Sequence, residues 1–216
     1  GDMKTSGESA KNAFNLAVEQ AGGIVGDYKI ETVTADDCND ATEAANAASK
    51  LITQEKVKAI VGSLSHKTTL SVSQVANDNK VVMITGAATN PKVTSDNGIR
   101  KDFVFRSCFI DPLQGTVAAG FAAETLKAKT AAVLYNREDE YYNTCLANSF
   151  KDAFTTSGGK VIAFESYSRN NTDLVEALNS IAGQKPDVLY LPDHYQMVSL
   201  IAKQARDKNI NAIFLG

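Results

Sequence analysis

Residues 57–90 read VKAIVGSLSHKTTLSVSQVANDNKVVMITGAATN, and this stretch decides the fold class. Residues 57–61 and 81–85 are short apolar runs, which are typical of buried strands. Residues 68–78 between them have the apolar spacing of a helix. A strand, a helix and a second strand at this spacing form a βαβ unit, in which the two strands are parallel. The stretch therefore predicts an α/β protein with a parallel sheet.

The same alternation extends in both directions along the chain. A helix, a strand and a second helix are predicted before it, at residues 8–21, 28–34 and 41–54. The first helix has an apolar face made of Ala10, Ala13, Phe14, Ala17, Val18 and Ala21. The later predicted elements are strand 103–106, helix 113–126, strand 131–134, helix 142–157, strand 160–165, helix 173–182, strand 188–191, helix 196–208 and strand 212–215. The pattern predicts mainly parallel sheets with helices on both faces.

Two α/β runs follow each other, separated by an extended crossing near residues 103–111. This arrangement predicts two lobes of one architecture, residues 1–106 and residues 107–216. The chain enters its first helix without a preceding strand, and it closes on a strand at Phe214-Leu215-Gly216. We expect a first strand and a C-terminal part of the fold to lie outside this sequence, so that both lobes are partial.

The composition is that of an ordinary globular protein, with 44% hydrophobic and 22% charged residues. The formal net charge is -3, and lysines and arginines are scattered singly, so we expect neither nucleic acid nor a membrane surface as a partner. The three cysteines, Cys38, Cys108 and Cys145, have no metal-type spacing and are an odd number. We expect three buried thiols and neither a disulfide framework nor a metal site.

Motifs of catalysis are missing from the sequence. It contains no phosphate loop, no dinucleotide fingerprint, no G-x-S-x-G and no H-E-x-x-H. Asp36, Asp37 and Asp40 resemble part of a calcium loop, but the turn glycine and the glutamate at the twelfth position are absent, which favours a solvated loop. Residues 170–172 fit a glycosylation triplet that arises often by chance. The sequence favours a binding protein without cofactor over an enzyme.

Two loops that follow predicted strands carry the functional argument, because ligands of open parallel sheets bind beyond the carboxyl ends of the strands. In the first loop, Ser65 at a helix start suits a carboxylate, although the residue also fits a plain N-cap. In the second loop, the Ala87 carbonyl suits an ammonium group and the Thr89 hydroxyl a carboxylate. This segment also fits an ordinary tight loop. Together the two loops predict a seat for a zwitterion.

Several segments, in this order and spacing, resemble branched-chain amino-acid binding proteins of ABC importers. The resemblance covers nearly the whole chain. It is carried by Gly7-Glu8-Ser9-Ala10, Gly62-Ser63, Thr68-Thr69-Leu70, MITGAATNP at residues 83–91, Phe105-Arg106, Asp111-Pro112, Gln114-Gly115, LPDHY at residues 191–195 and IAKQAR at residues 201–206.

The resemblance implies a type I periplasmic-binding-protein fold, with two lobes joined by a three-strand hinge that close on an amino acid. It implies a carboxylate bound by Thr89 and by the Ser65-His66 turn, an ammonium bound by the Ala87 carbonyl, and an aromatic cover supplied by Tyr142. Ala88 belongs to the same ligand loop, and Asp193 is the residue we expect to face a cationic or polar ligand group.

The resemblance also implies a monomeric receptor outside the cytoplasm, periplasmic or lipid-anchored, that delivers its ligand to a membrane permease. A ligand-sensing domain of a transcription regulator or receptor with the same fold is the alternative.

The sequence departs from the family pattern at positions near the expected ligand. His66 and Lys67 stand where small residues are usual, Asn143 and Cys145 replace glycines beside Tyr142, and Asp193 replaces an aromatic or small residue. Ser6 replaces an aromatic ring. These changes add polar groups and remove apolar cover, so we expect a pocket that prefers a polar or charged amino acid to leucine.

Overall fold

The computed structural model describes residues 3–139, 141–168 and 174–216. It contains two compact units, Gly1–Phe109 and Ile110–Gly216, called unit 1 and unit 2 below. The boundary therefore falls after residue 109, where the sequence pattern placed it after residue 106. The glycosylation triplet at residues 170–172 and the predicted helix start at residue 173 lie outside the described residues.

Unit 1 is built on a parallel sheet of three strands, which lie in the order β3 (Ala59–Val61), β4 (Val82–Thr85) and β7 (Val104–Arg106). Two short antiparallel hairpins, β1-β2 and β5-β6, accompany it and were not predicted from the sequence. Its elements are α1 (Lys4–Gln20), β1 (Ile24–Val25), β2 (Tyr28–Lys29), α2 (Ala41–Thr53), β3 (Ala59–Val61), α3 (His66–Asp78), β4 (Val82–Thr85), a 3-10 turn (Pro91–Val93), β5 (Ser95–Asp96), β6 (Ile99–Arg100) and β7 (Val104–Arg106).

Among the described residues of unit 1, helices α2 and α3 pack on one face of the sheet. Ile60, Met83 and Val104 are buried in a core with the apolar residues of α2 and α3. The strand residues that alternate with them point to the opposite face, where Val61 is 58% and Phe105 is 51% exposed. Helix α1 forms as predicted but has no buried residue, so its apolar face does not become part of a core.

The predicted strand at residues 28–34 is wrong over most of its length. Tyr28–Lys29 pairs with Ile24–Val25 in a hairpin, and residues 30–37 form no regular element. The β-branched residues Ile30, Val33 and Thr34 favour a strand, but a strand also needs a neighbour for its backbone hydrogen bonds. Within the described part of unit 1, β3, β4 and β7 pair with one another and not with this segment.

Unit 2 has a parallel sheet of four strands in the order β11-β10-β8-β9. The predicted helix 113–126 is α4 followed directly by a π-helical turn. The elements are α4 (Asp111–Gly120), the turn (Phe121–Thr125), β8 (Thr130–Asn136), α5 (Asn143–Thr156), β9 (Lys160–Tyr167), α6 (Val175–Gln184), β10 (Val188–Tyr190), α7 (Tyr195–Asp207) and β11 (Ile213–Leu215).

Helices cover both faces of the unit 2 sheet. One core joins β8 and β10 to α4 and α5 through residues such as Val133, Phe150 and Tyr190. A second core joins the opposite face to α6 and α7, with Leu178 and Ile201 fully buried. The two cores explain why β8 is an almost continuous apolar run, since a strand covered on both faces has no solvent side.

The cysteine environments differ from the expectation of three buried thiols. Within the described residues, none of the three cysteines forms a disulfide. Cys108 and Cys145 are half-buried, and Cys38 is exposed in the loop before α2. Burial raises the pKa of the Cys145 thiol. The expectation is therefore wrong for Cys38. Among the described residues, none of the helices has both the length and the apolar character needed to cross a bilayer.

Candidate functional site

The loop between β3 and α3 carries a chain of hydroxyl groups. Thr68 Oγ1 lies 2.7 Å from Ser63 Oγ and 2.8 Å from Ser65 Oγ. Ser65 Oγ also accepts a hydrogen bond from the Thr68 amide at 3.3 Å, which makes Ser65 the N-cap of α3. His66 is the half-buried first residue of that helix. Ser65 therefore has the N-cap role that the sequence left open. Its hydroxyl also lies in one group with the hydroxyls of Ser63 and Thr68, which were not predicted to bind ligand.

A carboxylate reaches these hydroxyls from the loop before α2. Asp37 accepts a hydrogen bond from Ser63 through Oδ2 and one from the Asn39 amide through Oδ1 at 3.0 Å. Asp36 and Asp40 accept amides of their own loop and of the first turn of α2. Sequence reasoning missed the Asp37–Ser63 contact because it joins positions 26 residues apart. The described residues contain no cluster of His, Cys, Asp or Glu arranged to hold a metal ion.

Thr85, at the end of β4, fastens the first strand-end loop to the second. Its side chain is fully buried, and its hydroxyl donates to the Ser63 carbonyl at 2.9 Å. The same oxygen accepts the Ala88 amide at 3.2 Å. The backbone adds a further link, because the Gly62 amide donates to the Ile84 carbonyl at 2.9 Å. The two loops predicted to form a ligand seat therefore lie side by side and share one hydroxyl.

The second loop leaves some polar groups available and uses others. The Ala87 carbonyl and the Thr89 hydroxyl have no hydrogen-bond partner among the described residues, and Ala87 is exposed. The Ala88 carbonyl instead accepts a hydrogen bond from Arg106 at 3.1 Å, and Arg106 also donates to Asn90 at 2.7 Å. Ala88 is thus buried with both backbone groups occupied. Ala88 can therefore contribute to a ligand site only through its small side chain.

In unit 2, Tyr142 stands immediately before α5. Its amide donates to Asp139 Oδ1 at 2.9 Å, and its ring stacks on His194 with the ring centroids 5.3 Å apart and the planes 10° from parallel. Burial raises the pKa of the Tyr142 phenol, a hydrogen bond with Gln114 opposes this, and nearby carboxylates led by Asp111 add to the increase. The phenol therefore remains protonated at neutral pH, as a hydrogen-bond donor on a fixed ring.

The loop after β10 carries Asp193 and is fixed by several hydrogen bonds. Asp193 accepts one from the Tyr167 hydroxyl through Oδ2 and one from the His194 amide through Oδ1 at 2.6 Å. Asn143, which is buried at the start of α5, donates to the Pro192 carbonyl at 2.7 Å. Asn143 thus holds the loop of Asp193 against α5.

Tyr142 and Asp193 line the same cavity, which has a volume of about 340 Å³ and lies within unit 2. Other walls come from Gln114 and Phe121 and from Tyr190 at the end of β10. The structure therefore brings the two site residues predicted in unit 2 together. The residues predicted in unit 1 meet at the two joined loops.

The sequence was also compared with models of known protein families. A model of the periplasmic binding protein family matches residues 1–216. The chain belongs to this family. The resemblance inferred from the sequence is thereby confirmed, as is the α/β fold class of periplasmic binding proteins.

Amino-acid-binding proteins of known name are similar to this chain in sequence. The leucine-, isoleucine-, valine-, threonine- and alanine-binding protein of Pseudomonas aeruginosa is 31% identical over 219 residues, covering 100% of this chain and 55% of that protein. The leucine-specific-binding protein of Salmonella typhimurium is 26% identical, covering 100% of this chain and 56% of that protein. The chain thus spans about half the length of the curated relatives it matches.

Solved structures of periplasmic binding proteins match in three dimensions as well. A leucine-binding protein, LivK, of Thermotoga maritima superposes with a TM-score of 0.79 at 36% identity, over 93% of this chain and 55% of that one. The branched-chain amino-acid transporter substrate-binding protein LivJ of Streptococcus pneumoniae, in complex with isoleucine, has a TM-score of 0.85 at 28% identity, over 99% of this chain and 60% of that one.

Proposed function

We propose that this chain is part of an extracytoplasmic amino-acid receptor of an ABC importer. In this proposal it binds a branched-chain amino acid or a more polar relative, without cofactor and without chemical change, and delivers it to a membrane permease. The receptor acts as a monomer, in the periplasm or as a lipoprotein at the outer face of the cell membrane. In this proposal the two lobes predicted from the sequence, residues 1–106 and 107–216, correspond to units 1 and 2.

The observation that carries the proposal is the pair of strand-end loops joined by Thr85 in unit 1. An amino acid needs donors for its carboxylate and an acceptor for its ammonium group. The available Thr89 hydroxyl and Ala87 carbonyl supply one of each on the same short loop. Ser65 and His66 at the start of α3 add a hydroxyl and the positive end of a helix dipole.

The remaining contacts assigned in this proposal come from other parts of the chain. Ala88, next to Ala87, keeps the second loop small enough for a ligand to approach the backbone. In unit 2, Tyr142 offers an aromatic face and Asp193 a carboxylate, both on the wall of the cavity. The names of the relatives from Pseudomonas aeruginosa and Salmonella typhimurium support an amino acid as the ligand class.

Isothermal titration calorimetry of the full chain with each of the common amino acids tests the proposal. We expect at least one of them to bind with a one-to-one stoichiometry and to remain unchanged after recovery. The variant Thr89→Val should weaken the affinity by about tenfold, because a hydrogen bond to the ligand carboxylate is lost.

The matched control for this variant is Thr53→Val, because Thr53 is exposed at the end of α2 and its hydroxyl donates to the Ser49 carbonyl of the same helix. Thr53→Val should leave the affinity unchanged. Equal losses of affinity in both variants would remove Thr89 from the site, and absence of binding by every amino acid would overturn the proposed function.

A further inference from the structure

The cavity of unit 2 combines aromatic walls with a single charge. Phe121, Tyr142 and Tyr190 contribute rings, and Gln114 is a neutral polar residue on the wall. Among the described residues that line the cavity, Asp193 is the one with a charged side chain. Aromatic faces and a carboxylate share one preference, since both attract cations.

The Asp193 carboxylate is held in place by two hydrogen bonds. Tyr167, which is buried on β9, donates its hydroxyl proton to Oδ2, and the His194 amide donates to Oδ1. Two oxygens offer about four lone pairs, so these two bonds leave acceptor capacity on a side chain that is half exposed. Asp193 is thus a preorganised acceptor.

The electrostatic surroundings of the same wall are negative. Tyr142 has the carboxylates of Asp111, Asp193 and Asp139 close enough to raise the pKa of its phenol together with burial. Asp139 also accepts the amide hydrogen of Tyr142 at 2.9 Å. A neutral apolar ligand group would gain nothing from these charges, whereas a cationic group would be attracted by all three of them.

We propose that the unit 2 cavity binds a cationic side chain, so that the receptor selects an amino acid carrying a second ammonium or a guanidinium group. The inference rests on the proposed function, because it names the class of amino acid that the proposed receptor would bind. The aromatic rings of Tyr142 and Phe121 pack on the alkyl stem and the cation, and Asp193 accepts its N–H groups. Leucine, whose side chain has no such donor, adds no partner to the Asp193 carboxylate.

Calorimetry of the full chain with L-arginine, L-citrulline and L-leucine tests the inference. Citrulline has nearly the shape of arginine without its charge, so the comparison isolates the cation. We expect arginine or, in a parallel titration, L-lysine to bind at least about tenfold more tightly than citrulline and leucine, as a charge-assisted hydrogen bond requires. If citrulline or leucine binds as tightly as both arginine and lysine, this inference is wrong and the proposed function stands. If no amino acid binds, both fall.

Two variants locate the effect. Asp193→Asn should remove the preference for arginine over citrulline while leaving the affinity for citrulline within about threefold, since the neutral amide keeps the shape but not the charge. The control Asp152→Asn changes an equal charge on the exposed face of α5 in the same unit and should leave the preference intact. A preference that survives in Asp193→Asn, or that is lost equally in Asp152→Asn, would overturn the assignment to Asp193.

Discussion

The two sheets of this protein are built from the same strand and helix alternation, yet they differ in how they are covered. In unit 2, helices pack on both faces, and four consecutive residues of β8, Ala131 to Leu134, are fully buried. In unit 1, α2 and α3 pack on one face, and Val61 and Phe105 stay exposed on the other. The burial of each sheet therefore depends on whether helices pack on one of its faces or on both.

Burial alternates along the strands of a sheet that is covered on one face, and it is continuous along the strands of a sheet that is covered on both faces. Ile60 and Met83 are buried in unit 1, while Val82 and Ile84 on either side of Met83 are exposed. All three residues of β10 in unit 2 are buried. Since buried apolar area is the main stabilising contribution, we expect unit 2 to be the more stable unit.

The largest expected effect comes from removing an aromatic ring from each sheet region. Phe150 is fully buried and stacks on Tyr190 with the ring centroids 4.3 Å apart. Phe150→Ala should lower the free energy of unfolding of unit 2 by about 3–5 kcal/mol. The matched change Phe105→Ala in unit 1 should cost about 1 kcal/mol, because half of that side chain already contacts water. Hydrogen exchange followed by mass spectrometry measures the two units separately, and equal losses would contradict the comparison.

A second pair of variants probes the covered face of unit 1. Thr85→Val leaves the Ser63 carbonyl and the Ala88 amide without their shared hydroxyl, so unit 1 should lose about 1–3 kcal/mol of stability. Ligand affinity should fall as well, because the two loops are no longer joined. Thr69 is equally buried, but its hydroxyl has no hydrogen-bond partner in the part of the chain that the structure describes.

Thr69→Val is therefore the control for Thr85→Val, and it should be neutral or slightly stabilising, because no hydrogen bond is lost and an unsatisfied hydroxyl is removed. Chemical denaturation combined with calorimetric titration measures both quantities. A similar loss of stability in the two variants would show that the hydroxyl of Thr85 does not join the loops.

A third pair separates a packed helix from an exposed one. At Gly115 in α4, an added Cβ would lie 2.8 Å from the Leu146 carbonyl oxygen and 2.8 Å from Ser149 Cβ on α5. Gly115→Ala should therefore destabilise unit 2 by about 1–3 kcal/mol through overpacking. Gly7 lies in α1 with nothing within 4 Å of the same position, so Gly7→Ala should stabilise that helix by about 0.5–1 kcal/mol. Circular dichroism melts should show opposite signs, and destabilisation by both changes would mean that α1 is packed.

The sequence predicts most of the fold because its signals are local. Apolar runs such as residues 81–85 and helix starts such as Ser65 depend on neighbours a few positions away, and the structure places them within a few residues of the prediction. The strand expected at residues 28–34 fails because strand formation needs a partner that local pattern does not reveal. The exposure of α1 has the same origin, since its apolar face was visible and its missing core was not.

Residues of the candidate site are easiest to predict where they follow the end of a predicted strand. Ala87 and Thr89 follow the end of β4 within four residues, so the prediction of that strand also locates them. The contacts of Asp37 with Ser63 and of Tyr167 with Asp193 each join positions 26 residues apart. Such contacts follow from how the strands are ordered, and a single sequence contains no direct signal for that order.

The smallest expected effect is a pH dependence that differs between the units. Hydrogen bonds from the Lys129 and Thr130 amides lower the pKa of Asp187, which thereby ties the start of β10 to the start of β8. In unit 1, hydrogen bonds from the Glu43 and Thr42 amides lower the pKa of Asp40 at the start of α2. Each carboxylate therefore stabilises its unit fully above its ordinary pKa, about 3.9, and loses this contribution as the pH falls through the lower folded value.

Asp187→Asn should therefore reduce the loss of stability of unit 2 on acidification and leave unit 1 unaffected. Asp40→Asn should have the same effect on unit 1 and leave unit 2 unaffected. Because both carboxylates are exposed, the change should be modest, and salt should weaken it further. Hydrogen exchange between about pH 5 and pH 3 measures the slope for each unit. If Asp187→Asn left the slope of unit 2 unchanged and altered that of unit 1, the two sheets could not be independent in their response to acid. The difference between the sheet with helices on one face and the sheet with helices on both faces would then have to be explained by coupling between the units. The helices that pack on each sheet would not be enough to explain it.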